Sequence, residues 1–149
     1  MKSQHQQRVE QFMLRAGQDV PSKPTLPDAA TCLARAKLHL EETLETIVAL
    51  GCYVYRDKDT RHGFNVGKWV DVKPNLINII DGCVDSNVIA TGTLSACGVP
   101  DPPFIIEVDA ANLRKFEGDA HRDANGKWIK PTGFVGPDIA EVLKQLGDA

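Results

Sequence analysis

The sequence lacks an apolar run that could cross a membrane. A membrane-spanning helix needs roughly 18 consecutive apolar residues, and no segment of the 149-residue chain approaches that length. The N-terminal region, with Gln4, Gln6, Gln7 and Glu10, also lacks the apolar core of a signal peptide. We therefore expect a cytoplasmic protein without membrane contacts.

An excess of basic residues is missing as well. The chain has 17 Lys and Arg against 20 Asp and Glu, a net charge of -3, whereas a dedicated nucleic-acid binder usually has a basic surface. Nucleic acid is therefore not an expected partner. The length is typical of one domain, which we expect to span residues 1–149, and a helical chain this short often completes its core by oligomerising.

Cysteine and histidine are few and scattered. The four cysteines include no CxxC pair and the four histidines no HxxxH pair, so a structural zinc site is not expected. Cys83 and Cys97 lie in an apolar segment, where a thiol acts as a small hydrophobic group. We interpret these two, together with Cys32 and Cys52, as buried structural thiols.

What the sequence does contain is helical periodicity. Two long segments, 28–50 and 75–97, repeat apolar residues at helical spacing, and each is followed by a glycine that can end a helix. The remaining segments are predicted as a helix over 3–16, a proline-rich arm over 18–27, helices over about 104–116 and 137–146, and a hairpin at Asn125-Gly126 within 121–130.

Residues 52–73 are an irregular excursion between the two long helices, with a hairpin as the alternative interpretation. The expected fold is all-α. It is a helical bundle of four to five helices, completed by oligomerisation, with a small β-hairpin near the C-terminus.

Acidic residues cluster on the first long helix. Glu41, Glu42 and Glu45 project from one side of it, because residues three and four apart are neighbours on a helix. Each pair of like charges costs about a few tenths of a kcal/mol. Such a cluster is tolerated on a solvated face or where a divalent cation compensates it, and for the glutamates alone both interpretations stay open.

The second long helix favours the metal. Asp81 and Asp85 are four residues apart in a segment otherwise rich in Ile, Val, Leu, Cys and Gly. Aspartate is a poor helix former and is rarely buried without a partner. A metal ion shared with the glutamates of a facing helix would supply that partner, and carboxylate oxygens suit Mg²⁺ or Mn²⁺ rather than zinc.

Four segments carry motifs in the order found in one enzyme superfamily. They are Leu38–Glu45 (similar to L-x-x-E-E-x-x-E), Asp81–Thr93 (D-G-x-x-D, then Gly-Thr), Asn112–Phe116 (S-N-M-S-K-F) and Asp123–Pro131 (D-G-K-x-x-K-P). The chain thus resembles the phage and bacterial branch of the all-α nucleoside triphosphate pyrophosphohydrolases. This superfamily includes the MazG-like and phosphoribosyl-ATP pyrophosphohydrolase-like enzymes, and the resemblance covers nearly the whole chain.

The resemblance implies that (d)NTP and water give (d)NMP and pyrophosphate, with two or more Mg²⁺ (or Mn²⁺) ions per site bridging the phosphates. The implied metal ligands are Glu42, Glu45, Asp81 and Asp85. Glu41 is then a further ligand or the base that orients the water. The implied phosphate ligands are Asn112, Lys115, Lys127 and Lys130, although solvated charges on a hairpin explain the last two equally well.

The resemblance also implies a homodimer or homotetramer that acts on the deoxynucleotide pool, with dGTP as a weak preference, in the host cytoplasm if a phage encodes it. The alternatives are a phosphoribosyl-ATP pyrophosphohydrolase and a non-enzymatic acidic helical interaction protein. The latter explains the glutamates but not Asp81 and Asp85.

The chain departs from the superfamily at two places. Gly82 stands where the superfamily has a glutamate, so Asp81 must substitute for it, with Asn78 as a weaker oxygen ligand. The excursion over 52–73 is also longer than the expected connector. It contains the aromatic residues that could stack on a base or form core or oligomer contacts: Tyr53, Tyr55, Phe64 and Trp69.

Overall fold

Five helices and four short strands form the regular structure of residues 1–147, the part of the chain that the computed structural model describes. In chain order they are α1 (Gln4–Arg15), α2 (Ala29–Ala49), β1 (Cys52–Arg56), β2 (Phe64–Lys68), α3 (Leu76–Ala96), α4 (Asp101–Arg114), β3 (His121–Arg122), β4 (Trp128–Ile129) and α5 (Ile139–Gly147). The strands pair antiparallel, β1 with β2 and β3 with β4. Across these residues no helix combines the length and the apolar character that a membrane span requires.

The chain divides into two units, which we describe separately. The helix-pair unit comprises residues 26–96 and holds α2, β1, β2 and α3. The terminal unit comprises residues 1–25 together with residues 97–147 and holds the other elements. The assignment of the whole chain to one MazG-like domain stays a prediction.

The expected all-α bundle of four to five helices is wrong. Each unit combines helices with a two-stranded antiparallel sheet, so the fold is mixed. The hairpin of β1 and β2 replaces the irregular excursion, because Tyr53, Val54 and Tyr55 suit a pleated strand and Gly63 turns the chain at φ 76°. The hairpin of β3 and β4 is consistent with the one expected near the C-terminus, with Gly126 at φ 79°.

The two long helices begin and end where the capping residues of the sequence place them. Asp28 caps α2 by accepting a hydrogen bond from the Thr31 N–H (2.7 Å). Gly51, at φ 76°, ends it. Asn75 caps α3 in the same way, since its Oδ1 accepts from the Asn78 N–H (3.2 Å). Local side-chain chemistry therefore fixes both ends of the connection between α2 and α3.

The pairing of α2 with α3 organises the helix-pair unit. Three contacts define it: Arg35 with Gly92, His39 with Thr93, and Thr46 with Gly82. The start of α2 meets the end of α3 and the end of α2 meets the start of α3, so the helices are antiparallel. At Gly82 a Cβ would lie 2.5 Å from Thr46 Oγ1. The helices therefore approach closely here because residue 82 has no side chain.

In the terminal unit, α1 packs against residues that follow α3. The Gln6 side chain donates to the Val99 carbonyl (2.8 Å) and accepts from the Asp101 N–H (2.9 Å), and both Gln6 and Asp101 are buried. The Ser3 N–H donates to Asp101 Oδ1 (3.0 Å). Helix α4 begins at Asp101 rather than near Phe104, because prolines fit the first turn of a helix.

The expectation of four buried structural thiols is wrong. Cys32 and Cys83 are exposed, and Cys52 and Cys97 are half-buried. The apolar composition of α3 suggested burial on every side, but only one side faces α2. Cys83 follows Gly82, which lies on that facing side, so its own side chain points away from α2.

Candidate functional site

The five carboxylates expected to form the site lie together in the helix-pair unit. Glu42 is half-buried on α2, and the negative charges of the other four act on its carboxylate. Partial burial raises the pKa of Glu42, because desolvation disfavours its ionised form. The other four negative charges raise this pKa further, in the order Asp85, Glu45, Glu41 and Asp81.

The antiparallel pairing explains why Glu42 and Asp85 face each other. Thr46 lies one turn after Glu42 on α2, and its hydroxyl donates to the Glu42 carbonyl (2.8 Å). Thr46 contacts Gly82, which lies three residues before Asp85 on α3. The helices run in opposite directions. The turn before Thr46, which contains Glu42, therefore lies opposite the turn after Gly82, which contains Asp85.

The five carboxylates of this cluster differ in exposure. Glu41, Glu45 and Asp81 are exposed, and Glu42 and Asp85 are half-buried. Within residues 1–147, none of the five carboxylates forms a salt bridge with another residue. Asp81 and Asp85 are less buried than the apolar sequence of α3 suggested, so their desolvation is smaller. Among the described residues, the negative charges of this cluster are nevertheless not paired with a cation in a salt bridge.

The carboxylates are near one another, yet they do not form a preassembled coordination shell. In the described part of the chain, no three His, Cys, Asp or Glu side chains converge closely enough to hold a metal ion. Mutual repulsion favours such a separation, because like charges on neighbouring turns repel. Binding of an ion at this position would require the side chains to turn toward each other.

The packing at Gly82 leaves no room for the glutamate that the resembled motif has at this position. A Cβ there would lie 2.5 Å from Thr46 Oγ1 and 3.3 Å from Thr46 Cα. A glutamate at this position would therefore separate the two helices. Asp81, one residue earlier, is exposed and can carry a carboxylate without this clash.

An open cleft of about 670 Å³ adjoins the carboxylates. Its lining consists of Leu44, Glu45, Val48, Ala49, Val72, Lys73, Asn75, Asn78, Asp81 and Gly82. Two of the five carboxylates, Glu45 and Asp81, thus line it together with Asn78, which the sequence suggested as a weaker oxygen ligand. Lys73 is a cation in this cleft that sequence reasoning missed, because a lysine in an irregular segment before a proline carries no motif.

The four candidate aromatic residues of the excursion are not among the residues that line this cleft in the described chain. Instead, Tyr53 and Trp69 pack together with ring centroids 4.5 Å apart. Trp69 Nε1 donates to the Cys52 carbonyl (3.1 Å), and the Tyr53 ring lies over Gly67, where a Cβ would clash with it. These contacts stabilise the open end of the first hairpin, where β1 begins and β2 ends.

No protein-family model matches this chain, and no curated protein is significantly similar to it. The resemblance to the pyrophosphohydrolases therefore depends on the motif residues themselves, and membership in that superfamily is a proposal.

The four expected phosphate ligands lie in the terminal unit. Lys115 Nζ donates to Asn112 Oδ1 (2.7 Å), so these two residues are neighbours as their spacing predicted. Lys130 lies with Nζ 4.7 Å from the centre of the Phe134 ring, a cation–π contact. Lys127 is exposed on the second hairpin. Their participation in one site with the carboxylates stays a prediction.

Proposed function

We propose that this chain is a divalent-metal-dependent nucleoside triphosphate pyrophosphohydrolase, which converts (d)NTP and water to (d)NMP and pyrophosphate. One observation carries the proposal. Beside an open cleft, four carboxylates of two paired helices act on the Glu42 carboxylate, and none of the five forms a salt bridge within residues 1–147. The cleft volume of about 670 Å³ lies within the range of small-molecule sites.

The donor set fits a hard divalent cation. Glu42, Glu45, Asp81 and Asp85 would hold Mg²⁺ or Mn²⁺, with two or more ions per site, since these ions prefer carboxylate oxygens. Bound ions would supply charge neutralisation of the phosphates and a water of lowered pKa. The exposed Glu41 is the proposed group that orients the attacking water or acts as its base.

The substrate assignment follows the resemblance. We propose that the protein acts on the cytoplasmic deoxynucleotide pool, with dGTP as the first substrate to test, and that Asn112, Lys115, Lys127 and Lys130 bind phosphate. In the reaction the water oxygen bonds to a phosphorus atom and the bond from that phosphorus to a bridging oxygen breaks, which releases pyrophosphate.

We further propose that the protein works as a homodimer or homotetramer. The two long helices expose large apolar side chains that a monomer would leave in water. On α2 these include Leu33 (58% exposed) and Leu40 (59%), and on α3 they include Ile77 (78%), Ile80 (56%) and Val84 (55%). A second copy of the chain is the proposed cover for this surface.

The experiment that tests the function is a substrate panel. Purified protein is incubated with each of the eight standard NTPs and dNTPs in Mg²⁺ or Mn²⁺, and pyrophosphate release is measured. We expect release from at least one of them that stops when the metal is chelated. Phosphoribosyl-ATP in the same panel tests the other enzymatic activity. If phosphoribosyl-ATP were the only substrate hydrolysed, that activity would replace the proposed action on deoxynucleotides.

A non-enzymatic role is the second candidate, because Glu41, Glu45 and Asp81 are exposed and no three metal-binding side chains converge among the described residues. In that role the acidic surface binds a basic partner. Absence of pyrophosphate release from every substrate of the panel would favour it over the enzyme.

A further inference from the structure

Lys73 is a cation in a cleft that also contains two carboxylates. It lines this cleft together with Glu45 and Asp81. A lysine next to carboxylates often forms a salt bridge with one of them, but Lys73 forms none with any described residue. Its positive charge is therefore available to an anion that enters the cleft.

The backbone on both sides of Lys73 is held firmly against the end of α2. The Trp69 N–H donates to the Gly51 carbonyl (3.0 Å), and the Asn75 N–H donates to the Ala49 carbonyl (2.9 Å). A Cβ at Gly51 would lie only 2.9 Å from the Val72 carbonyl oxygen. These contacts on both sides of Lys73 tie its backbone to the end of α2, and a binding residue needs such support.

The rest of the cleft suits a ligand with an anionic end and an apolar body. Leu44, Val48 and Val72 give it an apolar wall, and their side chains are 40%, 60% and 46% exposed. Asn78 adds an amide to the lining. A nucleotide has this combination of groups, with its phosphates to match the cation and its sugar and base to match the wall.

We propose that Lys73 binds a phosphate group of the nucleotide, and that the first hairpin serves to bring this lysine to the carboxylates. This role rests on the proposed function, which supplies the identity of the ligand. The proposal gives the excursion over 52–73 a role, because the chain that returns from β2 is what places Lys73 in the cleft. The lysine and a metal on the carboxylates would then hold the phosphate chain from two sides.

The test compares Lys73→Met with Lys68→Met, a matched control on the exposed face of β2 that removes the same charge. Inorganic tripolyphosphate with Mg²⁺ is the first probe, titrated by calorimetry, and Mn²⁺ alone is the second. We expect Lys73→Met to weaken tripolyphosphate binding by about tenfold, the loss typical of one charge-assisted hydrogen bond. Lys73→Arg should keep most of the affinity.

Mn²⁺ binding separates this role from structural damage. Removing a positive charge near carboxylates leaves their affinity for Mn²⁺ unchanged or increases it, whereas a distorted cleft would bind both probes less well. The inference is overturned if wild type binds no tripolyphosphate, if Lys73→Met binds it as wild type does, or if Lys68→Met loses as much. Pyrophosphate release by wild type with no effect of Lys73→Met would leave the proposed function standing and remove only this inference.

Discussion

Glu42 is repelled by the other four carboxylates of the cluster. Its pKa is raised by partial burial and by four neighbouring negative charges. In the metal-free protein its ionised side chain is therefore destabilising, whereas in a metal complex it would be a ligand. The same charge should thus have opposite effects on stability and on activity.

Glu42→Gln tests this opposition. Without metal, we expect the Tm to rise by about 1 °C, because repulsions of about a few tenths of a kcal/mol each are removed. With metal and substrate, we expect pyrophosphate release to fall by more than about 100-fold, since a ligand charge is lost with little change in volume. Thermal unfolding and an activity assay measure the two effects.

The control for Glu42→Gln is Asp109→Asn, which removes a negative charge from an exposed position on α4. It should leave the activity unchanged. If Glu42→Gln retained wild-type activity, the metal assignment of the cluster would be wrong. If the Tm of Glu42→Gln fell instead, repulsion at Glu42 would not be the larger effect of its charge on stability.

Asp119 makes a second prediction at the scale of single residues. The Thr132 hydroxyl and N–H donate to its two carboxylate oxygens (2.5 Å and 2.7 Å), and these bonds hold the pKa of Asp119 below its ordinary value of 3.8. Because the native pKa is lower than the unfolded one, the stabilisation is fully present above about pH 4. It is lost as the pH falls through the native pKa.

Thermal unfolding of wild type and Asp119→Asn from about pH 7 to about pH 2 checks this sign. The variant should be less stable than wild type near neutral pH, and the difference should shrink as the solution becomes acidic. A difference that stayed constant across the range, or grew in acid, would contradict the role given to the Asp119 carboxylate.

At the scale of elements, the contact of α2 with α3 depends on Gly82. Gly82→Ala should destabilise the protein by roughly 1–3 kcal/mol through overpacking, although alanine favours a helix by about 1 kcal/mol over glycine. The reason is the 2.5 Å separation that the new Cβ would have from Thr46 Oγ1. Gly82→Glu, which introduces the residue of the resembled motif, should be at least as destabilising and should not raise activity.

Denaturant unfolding of the Gly82 variants measures these effects, and a double mutant identifies their cause. Thr46→Ala removes the closest atom, so Gly82→Ala should be less damaging in that background than in wild type. Gly136→Ala is the matched control, because a Cβ there meets nothing within 4 Å. Equal destabilisation with and without Thr46 would show that the contact is not the cause.

The helices were predictable because their signals are local. The Asp28 cap, the glycines that end α2 and α3, and the 3.6-residue periodicity all act within a few residues of the element they define. The first hairpin was harder to predict, since its strands have five residues each and a polar connection. The exposure of Cys83 depends on which side of α3 meets α2, which composition does not reveal.

The same distinction applies to the site. Helical spacing predicted that Glu42 and Glu45 share one side of α2, and that Asp81 and Asp85 share one side of α3. Glu42 and Asp85 face each other because α2 and α3 pair antiparallel, and only tertiary contacts define that pairing. Lys73 could not be predicted, because its position in the cleft follows from the path of the returning hairpin.

At the scale of the whole molecule, the exposed apolar surface of α2 and α3 predicts self-association. Leu33→Asp or Ile77→Asp should shift the proposed dimer or tetramer toward monomer, because each would place a charge in an apolar interface. Leu26→Asp is the control, since Leu26 is 90% exposed and precedes α2. Sedimentation velocity measures the shift, and a monomeric wild type at micromolar concentration would contradict the prediction.

The central claim is that the carboxylates of α2 and α3 bind the metal that supports nucleotide hydrolysis. Pyrophosphate release by wild type and by Asp85→Asn, each with Mn²⁺ and with chelator, is the most direct test. We predict release by wild type with Mn²⁺ alone, and loss of that release in Asp85→Asn with the helical circular dichroism unchanged. No metal-dependent release by wild type, or equal release by Asp85→Asn, would contradict the claim.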